Sequence, residues 1–389
     1  MRTADAVVIG AGVNGASTAY NLIKRGLKRV VLLEKYLLAS GGTGRSAALV
    51  RQHYSNEELI LMVKRAIQVF HHFNEEVGGD CGFVNCGWAF LVPDYVSDGF
   101  SRNMQMQQRL GIQTQEISKP ELLAIEPRLV LDDVSRIAYE PGSGYADPHS
   151  TTYSYCQRFR ELGGEMMQMT AAEGLVIEAG AVKGVKTGHG EIATEIVINA
   201  AGPWAPYVGK WAGLDVPIQV TREEEIIIES SDVGGPPKTA ISDMAKAIYY
   251  RPHGRTHTLL GRGFPKEYEY VDPDHYRESA DPKFIEEAST TFVKRIPAFE
   301  KALFVNAYTG LYDVTPDWYP ILGRVEEVKG FIMCAGFSGH GFKLGPAIGE
   351  LMAEEAIDGK AHSIDISRFN LSRYRTGQLF KAAYGANRA

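Results

Sequence analysis

The sequence predicts an α/β protein in which a parallel sheet with crossover helices is interrupted by a discontinuous antiparallel sheet. Three observations carry this reading. The run Ala6-Val7-Val8-Ile9 breaks into Gly10, Gly12 and Gly15 before a helical pattern begins. A second glycine-rich turn, Phe337-Ser338-Gly339-His340-Gly341-Phe342-Lys343, follows the buried run 331–336 near the other end of the chain. Between these ends, blocks of short strands and β-branched or aromatic alternation near 78–139 and 218–311 have the rhythm of half-buried strands rather than of crossover units.

A strand that runs into G-x-G-x-x-G and then into a helix builds a phosphate site. Gly10 permits the tight turn, Gly12 lets the backbone approach a pyrophosphate, and Gly15 lets the helix, predicted over 15–25, lie close to the sheet; Val13 and Asn14 fill the positions between. Free N–H groups at the helix start then face the phosphates. A second buried strand over 29–33 ends in Glu34 and Lys35. Glu34 falls about 20 residues past the last glycine, where a carboxylate accepts ribose hydroxyls and repels a 2′-phosphate.

With 389 residues, 44% of them hydrophobic and 23% charged, the chain is large enough for two domains around a substantial core. A net charge of −6 gives no reason to approach nucleic acid or an anionic membrane. The apolar runs are of strand length, and Met1-Arg2 leads directly into a strand. Cys81, Cys86, Cys156 and Cys334 form no C-x-x-C pair. A cytoplasmic protein with small-molecule partners is expected.

Farther along, Ser40-Gly41-Gly42-Thr43-Gly44-Arg45-Ser46-Ala47-Ala48 has the glycines, hydroxyls and single cation suited to a loop along a ribityl diphosphate. It leads into Leu49-Val50-Arg51, where Arg51 is placed to enter a cavity. One amphipathic helix is predicted over 57–77, with His71 and His72 as surface or packing residues. Strands over 83–92 and a Met- and Gln-rich helix over 102–110 follow, with Met104 and Met106 read as packing. Asp147-Pro148 opens a helix predicted over 150–163. A β-meander and the strand 196–200 lead to Ala201-Gly202-Pro203-Trp204, the strand end at which an open α/β sheet meets its ligand. The second block holds strands over 225–229, 247–251, 256–261 and 307–312 and a helix over 282–296. The chain then returns to the first domain through 331–336 and a helix over 344–357. The resulting boundaries are 1–77, 140–217 and 312–365 for the nucleotide domain, 78–139 and 218–311 for the substrate domain, and 366–389 for a carboxy-terminal tail. Two glycine-rich turns at opposite ends of a chain call for a long ligand, whereas an NAD site needs only one.

These residues resemble the D-amino-acid oxidase family of FAD-dependent oxidoreductases, sarcosine oxidase-like branch. The resemblance runs through VVIGAGVNGASTAYNLIKRG with Glu34, TGRSAALVRQHY, Asp147-Pro148, VINAAGPWA, TPDWYPILG and GFSGHGFKLGPAIGE. It implies an FAD-binding Rossmann-like domain and extended FAD, with the ADP half at the first turn and the isoalloxazine ring under the antiparallel sheet. Cofactor contacts are implied at Gly10, Gly12, Val13, Asn14, Gly15, Glu34 and Lys35; at Thr43, Gly44, Arg45, Ser46 and Ala47; and at Ala172, Ala200, Gly202, Trp204 and Gly310. Gly339, His340, Gly341, Phe342 and Lys343 complete the set. Arg51 and Lys343 are implied to hold a substrate carboxylate and Tyr308 to lie near the ring, although a core aromatic is an equal reading of Tyr308. Arg262 stands where relatives differ and could bind a second acidic group. Asn306-Ala307 replaces the flavin-linked cysteine of covalent relatives, so non-covalent FAD is expected. The implied reaction is C–N oxidation of an N-substituted amino acid such as sarcosine, dimethylglycine or iminodiacetate, with oxygen or another carrier as electron acceptor. A D-amino-acid or proline dehydrogenase, or the flavin subunit of a heteromeric dehydrogenase, is the alternative, and a homo-oligomer or a heteromeric partner is open.

Overall fold

The computed structural model describes residues 2–381. Its parallel sheet has six strands, in the order Ile321–Arg324, Phe331–Ala335, Val197–Asn199, Ala6–Ile9, Val30–Leu33 and Glu165–Met167. Only Ile321–Arg324 runs antiparallel to its neighbour within this sheet. Side chains alternate along each strand, so Val8, Leu32, Ile198 and Ile332 enter one core, while Val7, Val31, Val197 and Phe331 enter the core on the opposite face. The central strands are apolar throughout because both faces are covered.

The helix after the first turn spans Val13–Lys24 and starts earlier than the sequence reading placed it. It is flanked by Pro148–Glu161, capped by Asp147 as expected, and by the long helix Gly341–Asp358. Close approach to the long helix requires Gly345 and Gly349. A Cβ at Gly345 would meet Val13 at 2.8 Å, and one at Gly349 would collide with Ser17.

Both inserted blocks contribute to a single nine-stranded sheet, including Trp88–Val92, Arg136–Glu140, Gln219–Glu229, Ile248–His253, His257–Arg262 and Leu303–Val314. Its pairs are antiparallel except Ala240–Asp243 with Trp88–Val92. A smaller four-stranded sheet contains the meander, Ala172–Glu178 with Ala181–Thr187, as expected in outline.

Several elements differ from the sequence reading. The helix over 57–77 is two, Glu57–His71 and Phe73–Glu76, divided at His72. The strand over 83–92 shortens to Trp88–Val92, and the Met-rich helix lengthens to Ser97–Arg109, with Met104 buried. Leu303–Val314 is twice the expected length and crosses the 311/312 boundary, because it pairs along all of Gln219–Glu229. Helices Lys119–Ile125 and Ala205–Trp211 were not anticipated. The first carries a capping box in which Ser118 Oγ accepts from Glu121 N and Glu121 Oε2 accepts from Ser118 N. Ser118→Ala should lower stability by about 1 kcal/mol, read as a small shift in the urea midpoint; no shift would show that the surrounding packing alone holds this helix.

The carboxy-terminal segment is anchored as far as Phe380. Arg373 makes a two-pronged contact with Asp317, at 2.8 and 3.0 Å, and Phe380 stacks on Tyr319 with ring centroids 4.5 Å apart. Residues 382–389 of the expected tail lie outside the described residues.

Candidate functional site

Two helices begin at the wall of one cavity. The first has Gly12 as its N-cap and the last has His340, and neither cap residue offers a side-chain acceptor to the helix N–H groups. Gly12 and Gly341 both line this cavity, whose volume is about 860 Å³. The two glycine-rich turns are therefore neighbours in space, and a Cβ on Gly341 would meet Asn14 Nδ2 at 3.0 Å. Asn14 Oδ1 is buried without a hydrogen-bond partner among the described residues. The cavity is large among ligand sites, which run from about 300 to 1,000 Å³.

Most of the expected nucleotide contacts line it. Gly10, Gly12, Asn14, Glu34 and Lys35 are in its wall, with Thr43, Arg45, Ser46 and Ala47 from the loop. Ala172, Ala200, Gly202 and Trp204 also line it, as do Gly310, Gly339, Gly341 and Phe342. Three expected contacts act through packing instead. Val13 is buried and donates its N–H to Thr43 Oγ1 at 3.1 Å, tying the loop to the helix. A side chain at Gly15 would run into the Gly10 carbonyl, and one at Gly44 into the Ala39 carbonyl, so both glycines shape the turns without lining the cavity.

Glu34 is held by both oxygens. Oε2 accepts from Ala11 N and Oε1 from Tyr36 N, each at 2.9 Å, which aims the carboxylate along the cavity with lone pairs to spare. Lys35 is turned outward to Asp274 at 2.9 Å and lies 3.8 Å from the Trp204 ring centre; the Trp204 indole N–H donates to the same Asp274. Arg45 likewise reaches Glu278 at 2.7 Å and the Tyr276 hydroxyl at 2.9 Å. Asp274, Tyr276 and Glu278, from the loop before the helix Pro282–Arg295, thus close over the cavity. The sequence reading missed them because no local pattern ties that loop to residues 35–45.

A second cavity, of about 210 Å³, adjoins the first; Ser46, Ala47, Tyr312, Gly339 and Phe342 line both. Arg51, Lys343, His340 and Arg262 line this smaller space. The Arg51 guanidinium lies 4.8 Å from the Tyr54 ring centre and 5.5 Å from that of Trp88, and it donates to the His53 carbonyl. Lys343 is buried, and burial, followed by the charge of Arg51, holds its ammonium well below the usual lysine range. Burial also holds the His340 ring well below its ordinary value, with Lys343 and Arg51 adding to the effect, so His340 is a neutral imidazole facing the small cavity. Arg262 is engaged outside by Glu287 at 2.8 Å. Asp243 is the single carboxylate among the lining residues, and Arg295 neutralises it at 2.6 Å. This pocket has excess positive charge and suits an anionic ligand.

Tyr308 is half-buried and lines neither cavity. Glu223 and Glu225, which the sequence reading passed over, stand in the large cavity's wall, while Tyr249 and Lys266 stand in the small one's. Among the described residues, no group of three or more His, Cys, Asp or Glu side chains is placed to hold a metal, and no helix is long and apolar enough to cross a membrane.

Two uncapped helix starts side by side on one large cavity, a carboxylate held by backbone N–H groups and an adjoining cationic pocket are the arrangement of a dinucleotide-dependent oxidoreductase. The chain belongs to the FAD dependent oxidoreductase family, whose model matches residues 5–355. The crystal structure of L-proline dehydrogenase from P. horikoshii is similar over 97% of this chain and 100% of that one, with 31% identity and a TM-score of 0.90. Mitochondrial sarcosine dehydrogenase from Homo sapiens is 29% identical over 400 residues, which cover 95% of this chain and 42% of that protein. The chain thus spans less than half the length of that relative. Sarcosine oxidase subunit beta from Arthrobacter sp is 24% identical, over 96% of this chain and 92% of that one.

Proposed function

We propose that the chain binds FAD non-covalently in the large cavity and oxidises the C–N bond of an N-substituted amino acid held in the small one. The observation that carries this reading is a cationic pocket, with Arg51 and Lys343 in its wall, adjoining a dinucleotide-sized cavity. The donor set fits the cofactor. The uncapped start of Val13–Lys24 would meet the phosphates, Glu34 the ribose, and the start of Gly341–Asp358 the ring, where its positive end would offset charge gained on reduction. FAD, when bound, supplies a two-electron sink for hydride.

The protein's part is placement. Arg51 and Lys343 would bind the substrate carboxylate, and an entering anion would favour the charged form of the Lys343 ammonium that burial disfavours. Walls built from Trp88, Phe90, Met244 and Trp318 would exclude water and orient the amine. Cys334 lines the large cavity, but burial pushes its thiol up, which supports a non-covalent cofactor. All four cysteines are free, in keeping with a reducing, cytoplasmic setting.

The expected result is anaerobic bleaching of the bound flavin by at least one of sarcosine, dimethylglycine, iminodiacetate and proline, followed on a spectrophotometer. Bleaching by a primary D-amino acid and by none of these would overturn the substrate class. Proline, a cyclic secondary amine, has its own support in the likeness to the proline dehydrogenase structure. The sarcosine oxidase subunit beta likeness supports a heteromeric assembly as a second reading, in which the chain would be isolated with a partner. Admitting oxygen after bleaching separates an oxidase from a dehydrogenase.

Glu34→Ala should weaken FAD retention about 10–100-fold, because charge-assisted hydrogen bonds to the ribose contribute about 1.5–3 kcal/mol. Flavin absorbance per protein after dialysis measures this, and full retention would take Glu34 out of the cofactor site.

A further inference from the structure

The wall between the two cavities contains a hydrogen-bonded pair. Glu225 and Tyr249 lie on strands either side of His257–Arg262, and both register with Gly261. A Cβ at Gly261 would collide with the Tyr249 ring, so this glycine leaves a lane in which the ring lies flat and reaches the next strand. The Tyr249 hydroxyl donates to Glu225 Oε1 at 2.5 Å. Tyr249 lines the small cavity and Glu225 the large one. Glu225 Oε2 is buried and has no hydrogen-bond partner among the described residues, so the carboxylate has room for a proton.

Resting on the reading of the small cavity as an amine site, we propose that Tyr249 and Glu225 form a relay that removes the ammonium proton of the bound substrate. Hydride leaves the carbon only when the nitrogen lone pair is free. Aliphatic amines are protonated near neutrality, as lysine is with its pKa of about 10.4. In the relay the substrate N–H bond breaks as the proton passes to Tyr249 Oη, while the former Tyr249 proton passes to Glu225. One proton crosses the wall, the amine becomes neutral and Glu225 becomes a carboxylic acid, with no change in oxidation state.

The surroundings poise this carboxyl for the task. Burial pushes Glu225 up to about 7, and the Tyr249 hydrogen bond and the charges of Arg251 and Lys266 only partly offset that; Glu223, on the same strand, adds to the rise. Tyr308 and Tyr312 face it from Leu303–Val314. Lys266 pairs with Glu223, and Arg251 is tied to the Ala47 carbonyl at 2.5 Å, so neither pairs directly with Glu225. A base near neutrality is the most useful kind at working pH.

The test uses the FAD-loaded protein. Infrared titration without substrate should show carboxylic acid carbonyl absorption growing in as pH falls through about 7, with one component lost in Glu225→Gln and the other, from Glu140, which burial also pushes up to about 7, retained. In stopped-flow bleaching by whichever amine reduces the wild type, E225Q and Tyr249→Phe should be slower at pH 7 by about 100-fold, the scale of general-base catalysis. Their deficit should shrink as pH approaches the amine's own pKa, since solution then supplies the neutral form. Gly261→Ala, which keeps both groups but displaces the ring, should show the same pH-dependent deficit. A deficit equal at every pH, or no deficit in E225Q, overturns the relay while leaving the amine reading intact. A wild type that no amine bleaches at any pH removes the amine reading and the relay with it.

Discussion

Arg51→Met is expected to raise the dissociation constant of the carboxylate-bearing amine about 100-fold or more while leaving flavin content unchanged. Truncating one member of a desolvated charge pair costs about 2–5 kcal/mol, and each 1.4 kcal/mol is a factor of about ten. Arg51 lines the small cavity and not the large one, so the cofactor should not register the change. Methionine keeps much of the packing against Tyr54 and Trp88, which isolates loss of charge from loss of volume. Titration of the flavin spectrum with the amine, alongside flavin content, reads both quantities. Unaltered affinity would take Arg51 out of the substrate site, and a colourless variant would place it in the cofactor site.

Asp317→Asn is expected to be the most destabilising single change named here, by about 3–5 kcal/mol, because it leaves a buried guanidinium without its counter-charge. Asp317 and Arg373 are both buried, and Asp317 also accepts from the Tyr374 hydroxyl at 3.0 Å. Burial pushes this carboxyl up, but the hydrogen bonds and charge of Arg373 outweigh it, so the group titrates below the ordinary carboxylate range. A depressed folded-state pKa contributes stability that is present above the unfolded value of about 3.9 and is lost as pH falls below it. The wild-type melting temperature should therefore fall more steeply with acid in that window than that of D317N. Parallel curves would mean that the pair contributes nothing beyond its packing.

The nucleotide half of the molecule is legible because its signals are local. Gly10, Gly12 and Gly15, the acidic end of the second strand and the 337–343 turn each declare their geometry within a few residues. They also meet in space as their chemistry demands, around one cavity. Arg51 and Lys343 were legible only through resemblance, since no spacing links them, and their common cavity is a product of the tertiary fold. Glu223, Glu225 and Tyr249 were not legible at all. Period-two alternation puts Glu223 and Glu225 on one face of Gln219–Glu229, but which strand lies beside them depends on long-range register, which no local signal fixes. Tyr308 was legible only through resemblance: its strand is twice the length its sequence pattern suggested, and the residue lines neither cavity while pairing in register with Glu225, which lines the large one. The Asp274–Glu278 loop belongs to the inserted block by sequence and to the wall of the large cavity by position, and its charge pairing with Lys35 and Arg45 leaves no trace in a linear pattern.

The packing of the last long helix against the first has a consequence for biogenesis. A nascent chain released as far as residue 330 has already made its first glycine turn, Glu34 and the loop at 40–48, yet it lacks Phe331–Ala335 and the helix that presses Gly345 onto Val13 and Gly349 onto Ser17. The two halves of the cleft are thus joined by some of the most sequence-distant contacts in the molecule, and such contacts form late. The cleft is complete only once the ribosome has delivered Phe331–Ala335 and Gly341–Asp358, by which point every strand of the antiparallel sheet, the last of which ends at Val314, has been synthesised.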